Sequence, residues 1–255
     1  MKKNNQKPLL ALTEQPGDPH AQFVLSTNSV SPLRSLWRKT RNFILAIARA
    51  LGKVLGMTKP AEINELLSYV PKRDRITEGA LLLLEKARGS GQDLTKAQLI
   101  TAMFLADKGH LDADARPVFF DNYIATEKGP AGVAASEMLD AKYDWTNTVD
   151  GKAPWSIEKT PGSLFVRPLR AANTRRLSIS DQEAIGSALE MVTSLSEGQL
   201  RLFTQRNEAY TTAWNDGKSA GSRLDPRLIP DVRDDELIED LLYSSRHAYV
   251  ASYRK

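Results

Sequence analysis

The residues predict an α+β chain, mostly helical, with a small antiparallel β element between amphipathic helices. Three observations carry that prediction. Apolar residues recur at three- and four-residue spacing along most of the chain. The stretches of β character are short and local. Strands nowhere alternate with helices in the way a doubly wound parallel sheet requires.

Residues 1–30 show no periodicity and are rich in Asn, Pro, Thr, Ser and Gln, so they read as a mobile arm. A helix is predicted from Ser31, a good N-cap, with Pro32 at the first helical position, to Gly56. Its apolar face is Leu33, Leu36, Trp37, Ile44, Ile47, Leu51, Val54 and Leu55, and Arg34, Arg38, Arg41 and Arg49 fall on the other. A shorter helix is expected over residues 61–69, closed by Pro71, and another from Arg73 to Arg88 around the block Ala80 to Leu84. Gly89-Ser90-Gly91 then reads as the boundary between a helical N-terminal extension, residues 31–91, and the main domain, residues 92–215.

Thr95 is expected to cap a helix burying Leu99, Ile100, Met103 and Phe104 and ending near Lys108-Gly109. Val118 to Ala125 is aromatic and β-branched, hence extended, until Lys128-Gly129-Pro130 breaks it and helix resumes over Ala131 to Tyr143. Residues 155–159 and 163–167 alternate on either side of Thr160-Pro161-Gly162, a hairpin pattern. Ser180, with Glu183 as its capping-box partner, opens the next helix, and Ser196 opens one carrying Leu200, Phe203 and Tyr210 to Trp214. Residues 216–255 are read as a polar loop followed by an acidic helix from Asp234 to Tyr243.

The composition, 26% charged and 41% hydrophobic, is that of an ordinary globular protein and excludes global disorder, collagen and coiled-coil classes. Absence of cysteine excludes a disulfide framework, a thiolate zinc site and a cysteine nucleophile. Only Leu9 to Leu12 form an apolar run near the start, too short for a secretory signal, and the most apolar window, Asn42 to Met57, carries Arg49 and Lys53. A cytoplasmic location is therefore expected. The formal net charge of +4 conceals an asymmetry: residues 31–59 hold Arg34, Arg38, Lys39, Arg41, Arg49, Lys53 and Lys59 with no acid. Basicity thus belongs to one segment, and the chain as a whole does not read as a nucleic-acid binder.

Three blocks between Leu94 and Trp214, about half the chain, carry a family resemblance. They are Leu94-Thr95-Lys96-Ala97-Gln98-Leu99 with Met103-Phe104-Leu105-Ala106, then Arg116-Pro117-Val118-Phe119 through Tyr123 to Lys128-Gly129-Pro130, and finally Leu177-Ser178-Ile179-Ser180 through Leu195 to Leu200 and on to Ala213-Trp214. In this order the segment resembles the Panacea antitoxin domain, also called the SocA-like or GepA-like family. It departs from the usual pattern at Ile100-Thr101-Ala102, and at Thr204-Gln205-Arg206, where a histidine-centred run is usual. The resemblance implies a non-enzymatic antitoxin of a toxin–antitoxin system, neutralising a protein toxin, often encoded next to it, by direct protein–protein binding. It also implies a prophage or phage setting, and one family member acts as a proteolytic adaptor, so a protease or chaperone joins the cognate toxin as an expected partner.

No reactive constellation competes with that reading. His20, His110 and His247 stand singly, Gly217-Lys218-Ser219 lacks the glycine a phosphate loop needs at Thr212, and no Gly-x-Ser-x-Gly elbow occurs. No catalytic residue, metal or cofactor is expected. The basic helix keeps three readings: packing on the body, docking on a toxin, or contact through residues 31–59 with nucleic acid or an anionic membrane. The candidates for partner binding are Trp37, Arg38 and Arg41 on that helix, Phe119, Phe120 and Tyr123 on the extended segment, and Leu237, Leu241 and Tyr243 on the last helix. Lys128, Gly129, Pro130 and Trp214 complete the set, each with a structural reading beside the functional one, as turn or packing residue.

Overall fold

A helix whose middle is buried on every side organises the fold. In a computed structural model the described residues are 68–146, 148, 151–215, 220–231 and 241. The chain divides into two compact units, Met1–Lys59 and Pro60–Lys255, and every described residue lies in the second. The expected arm and basic helix, and with them Trp37, Arg38 and Arg41, lie outside the described residues, as do Leu237 and Tyr243.

The described residues form an α+β, mostly helical fold with two antiparallel two-stranded sheets. Helix α1 spans Arg73–Gly89, and Ile76 together with the run Ala80 to Leu84 is buried in it. Helix α2 spans Lys96–Asp114, with Leu99 and the whole stretch Ala102 to Asp107 buried. Apolar residues on all sides mark a helix enclosed by other elements. Here those are α1, α4 (Ile179–Ser194), strand β4 (Ser163–Pro168), and the first hairpin, β1 (Tyr123–Thr126) with β2 (Gly129–Gly132). Short helix α3 (Val133–Met138) follows β2; strand β3 (Trp155–Thr160) pairs with β4; α5 (Glu197–Gln205) and α6 (Glu208–Trp214) follow α4.

Several boundaries differ from expectation for physical reasons. Helix α2 runs past Gly109 to Asp114 because His110 and Leu111 are buried, and Ala115 closes it in the left-handed conformation at φ 53°. Burial there outweighs the cost of a mid-helix glycine, about 1 kcal/mol. The extended segment 118–125 pairs only from Tyr123. The amides of Val118 and Phe119 instead donate to the Asp107 carboxylate, at 2.7 and 2.9 Å, where a neighbouring strand would have offered carbonyls. The helix expected over 131–143 is replaced by β2 and the six-residue α3. Helix α4 is capped by Ser178 with Asp181 in a capping box, not by Ser180 with Glu183, since that register buries Asp181 beside Arg75. The single helix expected up to Trp214 breaks at Asn207, whose side chain caps α6 and donates to the Ile229 carbonyl at 2.8 Å.

The expected boundary at Gly89-Ser90-Gly91 is a turn inside one core: the leucines of α1 pack in the same cluster as Leu99, Phe104 and Val192. Likewise residues 221–224 are continuous with the body rather than a separate tail. Ala125 donates to the Ser222 carbonyl and accepts from Gly221, and Tyr123 accepts from Leu224. Because Ala125 gives both backbone groups to that side, Pro130, its register partner on β2, turns its own backbone outward.

Candidate protein-binding groove

Beside the β1–β2 turn lies an open groove of about 370 Å³. One wall is the first two turns of α2, with Gln98, Ile100 and Thr101. A second is the hairpin, with Thr126 and the run Lys128 to Ala131. The third is the start of α5, with Glu197, Leu200 and Arg201. Apolar Ile100, Pro130 and Leu200 thus alternate with Gln98, Thr101, Lys128 and Arg201, a mixed lining suited to protein contacts.

Both helices that open onto the groove begin at sequence-encoded caps. Thr95 and Gln98 form a capping box at α2, and Ser196 and Gln199 form another at α5. The turn between them is clamped. Gly129 has φ +118°, and a Cβ there would stand 2.8 Å from Thr204 Oγ1, so only glycine fits both the backbone and the approach of α5. Thr126 Oγ1 donates to the Gly129 carbonyl at 2.7 Å, Gln205 Nε2 donates to the Glu127 carbonyl at 2.9 Å, and the Tyr210 hydroxyl donates to the Thr126 carbonyl at 2.8 Å. Trp214 is half-buried and stacks on Tyr210, with centroids 5.7 Å apart, so it backs the clamp rather than lining the groove.

Among the residues expected at an interface, Lys128, Gly129 and Pro130 are brought together at this groove; Lys128 is exposed, whereas Gly129 and Pro130 are buried in its wall. Phe119, Phe120, Tyr123 and Leu241 are corrected: all four are buried and none is presented to a partner. Phe119 is wedged against Gly79 of α1, Tyr123 packs edge-on to Phe104 at 5.2 Å, and Phe120 packs edge-on to Tyr69 at 5.7 Å. Exposed apolar surface lies elsewhere. On α5 only Leu200 and Thr204 are buried, which leaves Leu202 56% and Phe203 37% exposed. The i, i+4 pair Leu200 and Thr204 was the available signal, since it assigns 202 to the outer face and 203 to the flank of the buried one.

Three buried aspartates hold the scaffold behind the groove, and none was singled out by motif. Asp107 accepts from Val118 and Phe119 amides and from the Tyr123 hydroxyl at 2.8 Å. Burial pushes its carboxyl up to about 7, against the opposing effect of those donors. Asp121 accepts from the amides of Asn122, Ala134 and Ala135 at 2.7 to 3.0 Å, capping α3; burial still raises its pKa. Asp181 behaves in the opposite way. Burial raises it, but Ser178 donors and then Arg116 and Arg75 together hold it below the usual carboxylate range. His110 stands beside it, Nδ1 2.8 Å from the Arg116 carbonyl and Nε2 3.1 Å from Ser180 Oγ. The carbonyl requires the proton on Nδ1, and Nε2 also faces Asp114 at 3.1 Å and Asp181 Oδ1 at 3.4 Å. Burial, then the Arg116 charge, lowers its pKa.

Among the described residues no group of three or more His, Asp or Glu is placed to hold a metal ion, and no helix is long and apolar enough to cross a membrane. Comparison of the chain with family models, with curated proteins and with solved structures finds no match.

Proposed function

We propose that this protein is the antitoxin of a toxin–antitoxin system and neutralises a protein toxin by binding it directly through the groove at Lys128-Gly129-Pro130. The observation that carries the reading is a rigid, concave, mixed apolar and polar site formed at one of the three sequence blocks that resemble the Panacea antitoxin domain. A stable protein interface covers about 800 Å² on each partner. The groove is therefore the anchoring pocket of a larger contact, for which Leu202 and Phe203 are the exposed apolar side chains of the adjoining helix α5.

The test is expression of the neighbouring reading frame with and without this chain, followed by co-purification. Growth arrest relieved only by this chain, with a co-eluting complex, is the expected result. Lys128→Glu and the double variant Leu202→Asp, Phe203→Asp are expected to abolish rescue while remaining folded. Rescue without a complex, or unchanged binding by both variants, would sink the proposal. A second reading rests on the acid-free cationic segment 31–59: an accessory protein held on nucleic acid or an anionic membrane. Binding to DNA or liposomes that falls steeply with salt favours it, and no binding at low salt removes it.

A further inference from the structure

Where the start of α1 meets the segment after α2, three cations converge. Arg75 donates from Nε to the Val118 carbonyl at 2.7 Å and from Nη2 to Asp181 Oδ2 at 2.6 Å. Arg116 Nη2 lies 3.1 Å from Asp181 Oδ1 and donates to the Ser178 hydroxyl at 3.2 Å. Lys72 Nζ sits 4.0 Å above the centroid of the Phe120 ring, and the Arg75 guanidinium carbon is 5.8 Å from the same centroid.

The exposure of these groups is uneven. The Asp181 side chain is fully buried behind the guanidinia, whereas Arg75 is 18% and Arg116 31% exposed. Solvent therefore meets the cations and not the carboxylate that balances them. Of the other nearby acids, Asp74 pairs with Arg176 at 3.4 Å and Glu137 with Arg73 at 3.3 Å, while Asp114 lies 3.1 Å from His110 Nε2. Among the described residues Lys72 makes no ion pair. Burial, then repulsion from Arg75 and Arg116, lowers its pKa against the attraction of Asp74 and Asp181. Helix α1 also starts at Lys72 without a side-chain cap, so the positive end of its dipole adds to the same field.

The floor is held under strain. Phe120 has φ 56°, a conformation bulky L residues rarely adopt, and its neighbours enforce it. Asp121 is tied to the start of α3, and Asn122 pairs with the Tyr69 backbone through Nδ2 to the carbonyl at 2.8 Å and Oδ1 from the amide at 3.0 Å. That strain places the aromatic ring beneath Lys72.

We propose that Lys72, Arg75 and Arg116 form a binding site for an oxyanion of the phosphate class. Three cations face the carboxylates of Asp181 and Asp114, so positive charge is left over to meet the about −1.5 to −2 that a phosphate group brings at neutral pH. The guanidinium hydrogens not given to Val118, Asp181 and Ser178, together with the Lys72 ammonium, are donors for its oxygens. The site is distinct from the groove and independent of the antitoxin reading. The same chemistry is offered by free phosphate and by a phosphate monoester.

The experiment is a residue-resolved NMR titration of the full-length protein at constant ionic strength, with inorganic phosphate, with AMP and with acetate as separate probes. Amides 73–76 and 118–121 report on this site residue by residue. Saturable shifts with inorganic phosphate and none with acetate are expected. A tighter response to AMP assigns the site to a carried phosphate, and an equal or weaker one to the free ion. Lys72→Gln should weaken binding at least five-fold, Lys72→Arg should retain it, and Lys159→Gln on the β3–β4 hairpin should leave it unchanged. Absence of saturable shifts with both phosphate probes, an equal response to acetate, or unaltered binding by Lys72→Gln would overturn the proposal. Arg75 and Arg116 are unsuitable for the test, because replacing either strips a partner from buried Asp181.

Discussion

Asp107 is a carboxyl whose protonation the fold controls. Its pKa is raised by burial to about 7, so between the unfolded value near 4 and that folded value the native state holds the extra proton. Its contribution to stability is full below about pH 4 and drains as pH rises through 7. Asp107→Asn keeps an oxygen for the Val118 and Phe119 amides and removes the titration. Its stability relative to wild type should therefore climb between pH 4 and 7, by at most about 1.4 kcal/mol per pH unit. Urea unfolding at four pH values measures this, and parallel curves for the two proteins would refute it. Taking the difference removes Asp121, whose raised pKa acts with the same sign. A second single-residue prediction concerns Gly79: a Cβ there meets the ring of Phe119, which is completely buried and has no free rotamer. Gly79→Ala should cost about 1–3 kcal/mol by overpacking, despite its better helix propensity.

Among the elements, the hairpin of β3 and β4 was legible because Thr160-Pro161-Gly162 is a turn in its own right, and it forms with Gly162 at φ 87°. The hairpin of β1 and β2 was not. Gly129-Pro130-Ala131-Gly132 contains no β-branched residue and reads as a breaker; its pairing is imposed by the clamp from α5 and α6 and by burial of Tyr123. The turn residues were thus found by sequence, while the groove they line was not, because α2 and α5 reach it only through tertiary packing. The cap of α4 shows the same limit. Ser178-Ile179-Ser180-Asp181-Gln182-Glu183 offers two capping boxes in registers two residues apart, and a partner 106 positions away, Arg75, selects between them. Accordingly Asp181→Ala should destabilise the protein by about 3–5 kcal/mol, since it leaves two guanidinia without their carboxylate. Glu183→Ala should cost less than about 1 kcal/mol, by thermal or urea unfolding. Equal losses would mean that the other box is formed.

At the scale of the molecule, the α+β class and most helices followed from periodicity, but the partition into domains did not. Composition changes at Gly89-Ser90-Gly91 without any change of core, because Leu81, Leu83 and Leu84 of α1 are as buried as Leu99 of α2. A fragment of residues 60–255 is therefore expected to unfold cooperatively, whereas one beginning at residue 92 should lack the core face that α1 supplies and fail to fold. Circular dichroism with a thermal melt distinguishes them, and a cooperative melt of the shorter fragment would contradict the single core. The side of β2 turned away from β1 has a consequence of its own. Gly129, Pro130 and Gly132 are buried there, and among the described residues no strand pairs with β2 on that side. Pro130 brings no N–H into this enclosed position, so replacing it with alanine would leave a backbone donor without an acceptor, and the ring that shapes the groove also spares the hairpin an orphaned amide.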